Sequence, residues 1–211
     1  MTAFGEDCAT LLVRELNGLA AELDLFPDDA SAWRTPPGLS NSAANLGLHV
    51  AGNVQHFIGA VLGGTGYVRN REHEFACREG SRESVKAELA RAAKVAREIL
   101  PTLSQKVLDA PYPLTMFEGK GIRTSFYLHH LCVHAGFHLG QAGYARRVVT
   151  GASGSSGPLS LAAIMSPLSK SLTSVDLMPQ MAQNINTFGD AVNAMLAGRV
   201  YMNVHNMAIP G

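Results

Sequence analysis

Apolar residues recur at three- and four-residue intervals between about Glu6 and Leu25, with Leu11, Leu12, Leu16, Leu19 and Leu23 carrying the pattern. That spacing predicts a first amphipathic helix, stopped by Pro27. Trp33 to Ser40 hold Pro36, Pro37 and Gly38 and read as an ordered loop. A second helix is expected from Asn41 or Ser42, either of which can cap it, to Gly63-Gly64. A polar loop follows, Thr65 to Gly80, with Arg69, Arg71, Glu72 and Glu74. Ser81 caps a third helix that reads to about Val107 through Val85, Leu89, Ala92, Val95, Ile99 and Leu100, with a kink expected at Pro101. After a loop with Pro111, Pro113 and Gly119, a fourth helix runs from near Thr124 to Gly151. Gly151 is a natural C-terminal stop, and Arg146 and Arg147 are placed to favour the negative end of the helix dipole.

Four helices without an alternating strand pattern predict an all-α fold, a four-helix bundle over residues 1 to 151. The composition then shifts. Residues 151 to 157 read GASGSSG, a flexible linker. Residues 152 to 211 form a linker and tail with only four charges, Lys170, Asp176, Asp190 and Arg199. Within this appendage a short helix is expected from Pro179 to Gly198 and a strand from Val200 to Val204. Its function is unknown.

Composition narrows the classes. A hydrophobic share of 46% supports a real core and excludes disorder of the whole chain. Lys plus Arg is 17 and Asp plus Glu is 17, so there is no electrostatic footprint for nucleic acid or an acidic membrane. Cys8, Cys77 and Cys132 are odd in number and widely spaced, without a CxxC pair, which argues against a disulfide framework or a zinc ribbon. A reducing, cytoplasmic setting is the simplest expectation. Glu6 and Asp7 stand where a signal peptide would be basic and then apolar. The most apolar stretch, Asn45 to Gly63, is interrupted by His49, Asn53, Gln55 and His56, which is unlike a transmembrane helix.

The histidines carry the chemistry. Six of the eight fall in two helical windows: His49 and His56 in the second helix, His129, His130, His134 and His138 in the fourth. Residues four apart share one helical face, so His134 and His138 can present two imidazoles to one ion, and so can His130 and His134. Spacing alone does not choose between these pairs. A third ligand must come from another helix. His49 is the best candidate, because Asn45, His49, Asn53 and His56 form a polar stripe down an otherwise apolar helix, and a polar stripe facing a core must be satisfied. Three neutral imidazoles suit Zn, Ni, Fe or Cu rather than Mg or Ca. Three protein ligands leave a coordination position open, as in catalytic sites. Proton competition for such ligands predicts metal loss between roughly pH 6.5 and 5. A single histidine on an apolar face is more often an ordinary core residue, so it is the combination of the windows that points to metal.

Three segments support this. NSAANLGLHVAGNVQHFIGAVLGG (residues 41–64) resembles the second helix of DinB-like proteins, with His49 at the ligand position. VRNREHEF (68–75) resembles the R-x-R-x-x-E-F segment of one DinB-like branch, and HLCVHAGFHLGQAGYAR (130–146) resembles the family's H-x-x-x-H-x-G-Q helix. The resemblance covers roughly residues 5 to 151. It implies a DinB-like bundle with one divalent transition metal, Zn or Ni first and Fe next, on His49, His134 and His138. Leu139 stands where family members commonly have arginine or histidine.

The same resemblance implies a metal-dependent enzyme acting on a small molecule, either a transferase or isomerase using a low-molecular-weight thiol or a hydrolase. The alternative is a non-catalytic metal-binding or dimerisation scaffold, and a homodimer is expected as a candidate assembly. A cavity lined by Trp33, Asn53, Arg69 or Arg71 would favour the enzyme. Glu74 and Glu72 are candidate bases on a loop over the site, Arg69 and Arg71 candidate holders of a carboxylate substrate. Asn53 could orient a ligand, and Gln141 could support His138 from behind. Gly136 and Gly140 suggest a close helix approach near the site. Cys132 lies about 200° around the helix from His134 and is not expected to face the metal.

Overall fold

The computed structural model describes residues 2–114 and 121–154. The expected linker beyond residue 154, the helix at 179–198 and the strand at 200–204 lie outside the described residues.

Four long helical stretches make the framework. α1 (Ala3–Asp24) starts where the Thr2 hydroxyl accepts from the Gly5 amide. Its leucines at 12, 16, 19 and 23 are all buried, as their spacing predicts. α2 (Asp29–Trp33) is a single capped turn. α3 (Ala43–Val54) opens on a reciprocal cap between Ser42 and Asn45, passes into a π-helical turn (Gln55–Ala60), and ends as α4 (Val61–Gly63). Gly64 stops it at φ 63, a left-handed conformation that favours glycine. α5 (Arg71–Ala76) starts at an Asn70 cap, and α6 (Arg82–Ile99) at a Ser81 cap. A 3-10 turn (Leu100–Thr102) and α7 (Gln105–Asp109) lead on to α8 (Thr124–Thr150), closed by Gly151. Among the described residues the sole β feature is an isolated antiparallel bridge between Pro111 and Arg123.

The helices pack in a ring. α1 lies against α6 and α8, and α3 lies against the same two helices on the other side. The core between them is mostly Leu, Ala and Val, with Trp33 plugged in from α2. The Trp33 indole donates to the Gly80 carbonyl at 2.7 Å, which satisfies its buried N–H. Burying each leucine contributes on the order of 2 kcal/mol.

Three local features differ from the sequence expectations. The third helix does not bend through Pro101 to Val107; it ends at Ile99, because the Pro101 ring removes an amide donor, and Ser104 caps a new helix at Val107 N. The expected polar loop 65–80 contains α5. Arg146 is not a solvated partner of the helix dipole. It is buried and donates to Glu22 of α1 at 2.6 Å, and it also reaches the Gly154 carbonyl.

Candidate metal centre

α3 and α8 bring His49, His134 and His138 together. The Nε2 atoms of His49 and His134 are 3.3 Å apart, and those of His138 and His134 are 3.1 Å apart. One ligand atom from each residue lies within 4.8 Å of the other two. Imidazole nitrogens about 2.0–2.1 Å from one ion, at cis or tetrahedral angles, stand about 2.9–3.4 Å apart. The two measured separations fall in that range.

The outer hydrogen bonds decide what these nitrogens carry. His49 Nδ1 lies 3.0 Å from Glu74 Oε2 and 3.2 Å from Arg69 Nη2. Arg69 Nη2 is closer to Glu74 Oε2, at 2.7 Å, and a carboxylate only accepts, so the favoured tautomer places the proton on Nδ1 and leaves Nε2 its lone pair. His138 Nδ1 likewise donates to Gln141 Oε1 at 2.7 Å, again leaving Nε2 as an acceptor. Two lone pairs therefore converge on the His134 Nε2, which can donate to one of them at most. A cation satisfies all three at once. This donor set fits a divalent transition metal.

Electrostatics favour the neutral ligands. Burial, with His138, His49, His130 and Arg69 nearby, takes the His134 pKa down to about 3. Burial also lowers that of His138, opposed by the Gln141 hydrogen bond. Both imidazoles are thus kept in the form that binds metal.

Glu74 is buried between Arg69 and His49. Arg69 holds it with two hydrogen bonds, Nε to Oε1 and Nη2 to Oε2, each 2.7 Å. Burial raises the Glu74 pKa, but the bonds from Arg69 and His49 outweigh it, and the carboxyl sits below its usual range. A carboxylate so occupied is a poor general base and a good orienter of His49. Arg69 in turn is committed to Glu74 and to the face of Phe57, 5.6 Å from its centroid, rather than held free for a carboxylate substrate. Arg71 is exposed and lies over Phe75, whose ring is 4.7 Å from that of His49. Glu72 is exposed on α5.

The polar stripe on the second helix divides. Asn45 caps α3 and donates to the carbonyls of Glu74 and Cys77, both at 2.9 Å, which ties α5 to the helix that carries His49. Asn53 is buried, and its Oδ1 has no hydrogen-bond partner; the same holds for His56 Nδ1. Cys132 faces α1, donating to the Cys8 carbonyl, as its angular position predicts.

Two contributors escaped the sequence reading. Gly52 lets the Glu74 carboxylate pass, since a Cβ there would collide with it. Phe75 packs on His49. A glycine one residue short of a turn from His49 was the available signal for the first. A Cβ at Gly136 would be in ordinary contact with Glu15, and one at Gly140 would meet nothing within 4 Å among the described residues. The close approach near the site is at Gly52 instead.

A cleft of about 640 Å³ opens between α2 and the α5–α6 connection, lined by Asp29, Trp33, Arg34, Arg78 and Glu79 among others. It takes in Trp33 but not Asn53, Arg69, Arg71 or any of the three histidines.

The DinB superfamily model matches residues 11–142. The chain belongs to the DinB superfamily. No curated protein matches it. Among solved structures it is similar to a conserved protein from Enterococcus faecalis, with a TM-score of 0.59 and 19% identity, over 72% of this chain and 99% of that one. At that identity the likeness speaks for the fold alone. DinB membership agrees with the all-α fold, and three histidines that could hold a metal ion cluster within it. No helix among the described residues is long and apolar enough to cross a membrane.

Proposed function

We propose that His49, His134 and His138 hold one divalent transition metal, Zn or Ni in preference to Fe, and that this DinB protein uses it to act on a small molecule. The observation that carries the reading is the convergence of Nε2 lone pairs, two of them fixed by outer bonds to Glu74 and Gln141. An all-imidazole set favours borderline transition metals over Mg or Ca. When bound, the ion would supply Lewis acidity and lower the pKa of a water or thiol beside it. The chain's own part is to keep the ligands neutral, to orient His49 through Glu74 and Arg69, and to orient His138 through Gln141. S-transfer or isomerisation with a low-molecular-weight thiol is one candidate reaction, and hydrolysis is the other. Asn53 is the candidate for orienting a bound ligand, because its buried Oδ1 is unpartnered. The balanced charge supports a small-molecule partner over nucleic acid, and the scattered cysteines support a cytoplasmic setting.

A second reading is a non-catalytic metal-binding scaffold. Its support is that Arg69 and Glu74, the charged groups beside the histidines, are bound to each other rather than free for a substrate. The test is calorimetric titration of metal-free protein with Zn²⁺ and Ni²⁺, then a screen of the loaded protein with small thiols and electrophilic substrates. One saturable site and thiol-dependent turnover are expected. One site without turnover selects the scaffold, and no saturable site rejects both readings.

A further inference from the structure

Past His49, the second long helix carries two buried polar atoms that nothing among the described residues satisfies, Asn53 Oδ1 and His56 Nδ1. Asn53 is only 7% exposed, so a lone acceptor there costs the desolvation of its oxygen. The two residues lie four and seven positions beyond His49, on the same helical face. His56 sits in the π-helical turn that begins at Gln55, and such turns recur at functional sites. α8 runs antiparallel to this stretch. His49 meets His134, with ring centroids 5.2 Å apart, and further along Phe57 meets Tyr127 at 5.3 Å. Between these two crossings α8 presents His130, whose ring is 5.7 Å from those of both Tyr127 and His134. His130 is exposed, so the stretch runs from the histidine cluster to the surface.

We infer, resting on the metal reading above, that Asn53 and His56 recognise the substrate beside the histidine cluster, and that they take an uncharged hydroxyl or amide rather than a carboxylate. An amide oxygen only accepts, so Asn53 Oδ1 calls for an N–H or O–H. Burial and the nearby Arg69 hold His56 below the ordinary imidazole range, against an opposing pull from Glu74. Its ring is therefore neutral, and Nδ1 can take or give one hydrogen bond. A hydroxyl or an amide can serve both atoms. A carboxylate offers no hydrogen, so it would leave Oδ1 unsatisfied and set acceptor against acceptor. Its charge would also lack a partner, because Arg69 is already bound to Glu74 through two bonds of 2.7 Å.

The test uses the full chain loaded with Co²⁺, whose visible absorption reports ligands entering its coordination sphere. Acetohydroxamate, which carries N–H and O–H, is titrated beside acetate, which carries neither, into the wild type, Asn53→Leu and His56→Phe. Each variant is expected to weaken acetohydroxamate by at least roughly tenfold and to leave acetate unchanged. Asn53→Leu should also keep or raise the thermal midpoint of the ligand-free protein, since Oδ1 has no bond to lose. A lowered midpoint with unchanged hydroxamate affinity would give Asn53 a structural role and overturn the inference, as would an equal loss for both ligands. Elemental analysis of the same samples separates the two levels of failure. Variants with full metal and wild-type hydroxamate affinity overturn this inference alone, whereas a wild type that holds no metal overturns the metal reading and this inference with it. Should one variant fail to fold, the other decides.

Discussion

The proton on His49 is held by a relay of side chains: Arg69 fixes Glu74, Glu74 accepts from Nδ1, and Nε2 is left to face His134. Partners of this kind typically change metal affinity by 10–100-fold when removed. Glu74→Gln should therefore weaken metal binding by about that factor while leaving one site per chain, as measured by competition with a chromophoric chelator. Unchanged affinity would mean that Glu74 does not orient the ligand. His134 makes a second prediction. Its folded pKa is depressed below the unfolded value, so between about 6.5 and about 3 the unfolded chain binds the extra proton. Stability of the metal-free protein should thus fall as pH drops through that window. The same depression moves proton competition below the pH 6.5 to 5 expected from unperturbed imidazole. Urea melts of metal-free protein across the window check this, and His134→Ala should flatten the dependence. At this scale the histidines were legible because helical spacing puts four-apart residues on one face. The Arg69–Glu74–His49 relay was not, because it depends on α5 folding back onto α3, which spacing does not encode.

Helix boundaries were legible wherever a single residue decides them. Ser42, Ser81 and Gly151 act where the sequence places them. The missed elements are short. α2 and α5 have five and six residues, below the length at which periodicity can be read, and each exists because an Asp28 or Asn70 side chain caps it. The π-helical turn is invisible to a 3.6-residue pattern for the same reason, since one extra residue only shifts the register. Between elements, the least expected contact is the buried pair of Glu22 on α1 and Arg146 on α8. Removing one member leaves an uncompensated charge in the core. Glu22→Ala should cost about 3–5 kcal/mol in chemical denaturation. A cost below about 1 kcal/mol, the range of exposed pairs, would show that the pair is not closed to water.

For the whole molecule, an all-α fold followed from four apolar periodicities and the absence of strand alternation. What the pattern did not carry was which helices touch, because an apolar face names no partner. Residues 2–114 and 121–154 include every side chain of the histidine cluster and its supports, so a chain ending after Gly154 should fold and load metal. Gly154 is the natural cut, since Arg146 reaches its carbonyl. Loss of helicity in that truncated chain would place residues 155–211 in the core. An ion held by both α3 and α8 also binds the folded state alone, so it should raise the thermal midpoint relative to chelator-treated protein at pH 7.5. The central claim is that three named histidines on two helices hold one ion. Elemental analysis of the purified chain beside its His134→Ala and His129→Ala variants tests it most directly. His134 stands at the centre of the cluster, whereas His129 packs on Phe4 of α1. The expected result is about one equivalent of transition metal in the wild type and in His129→Ala, and almost none in His134→Ala. Wild-type metal content in a folded His134→Ala variant would contradict the account.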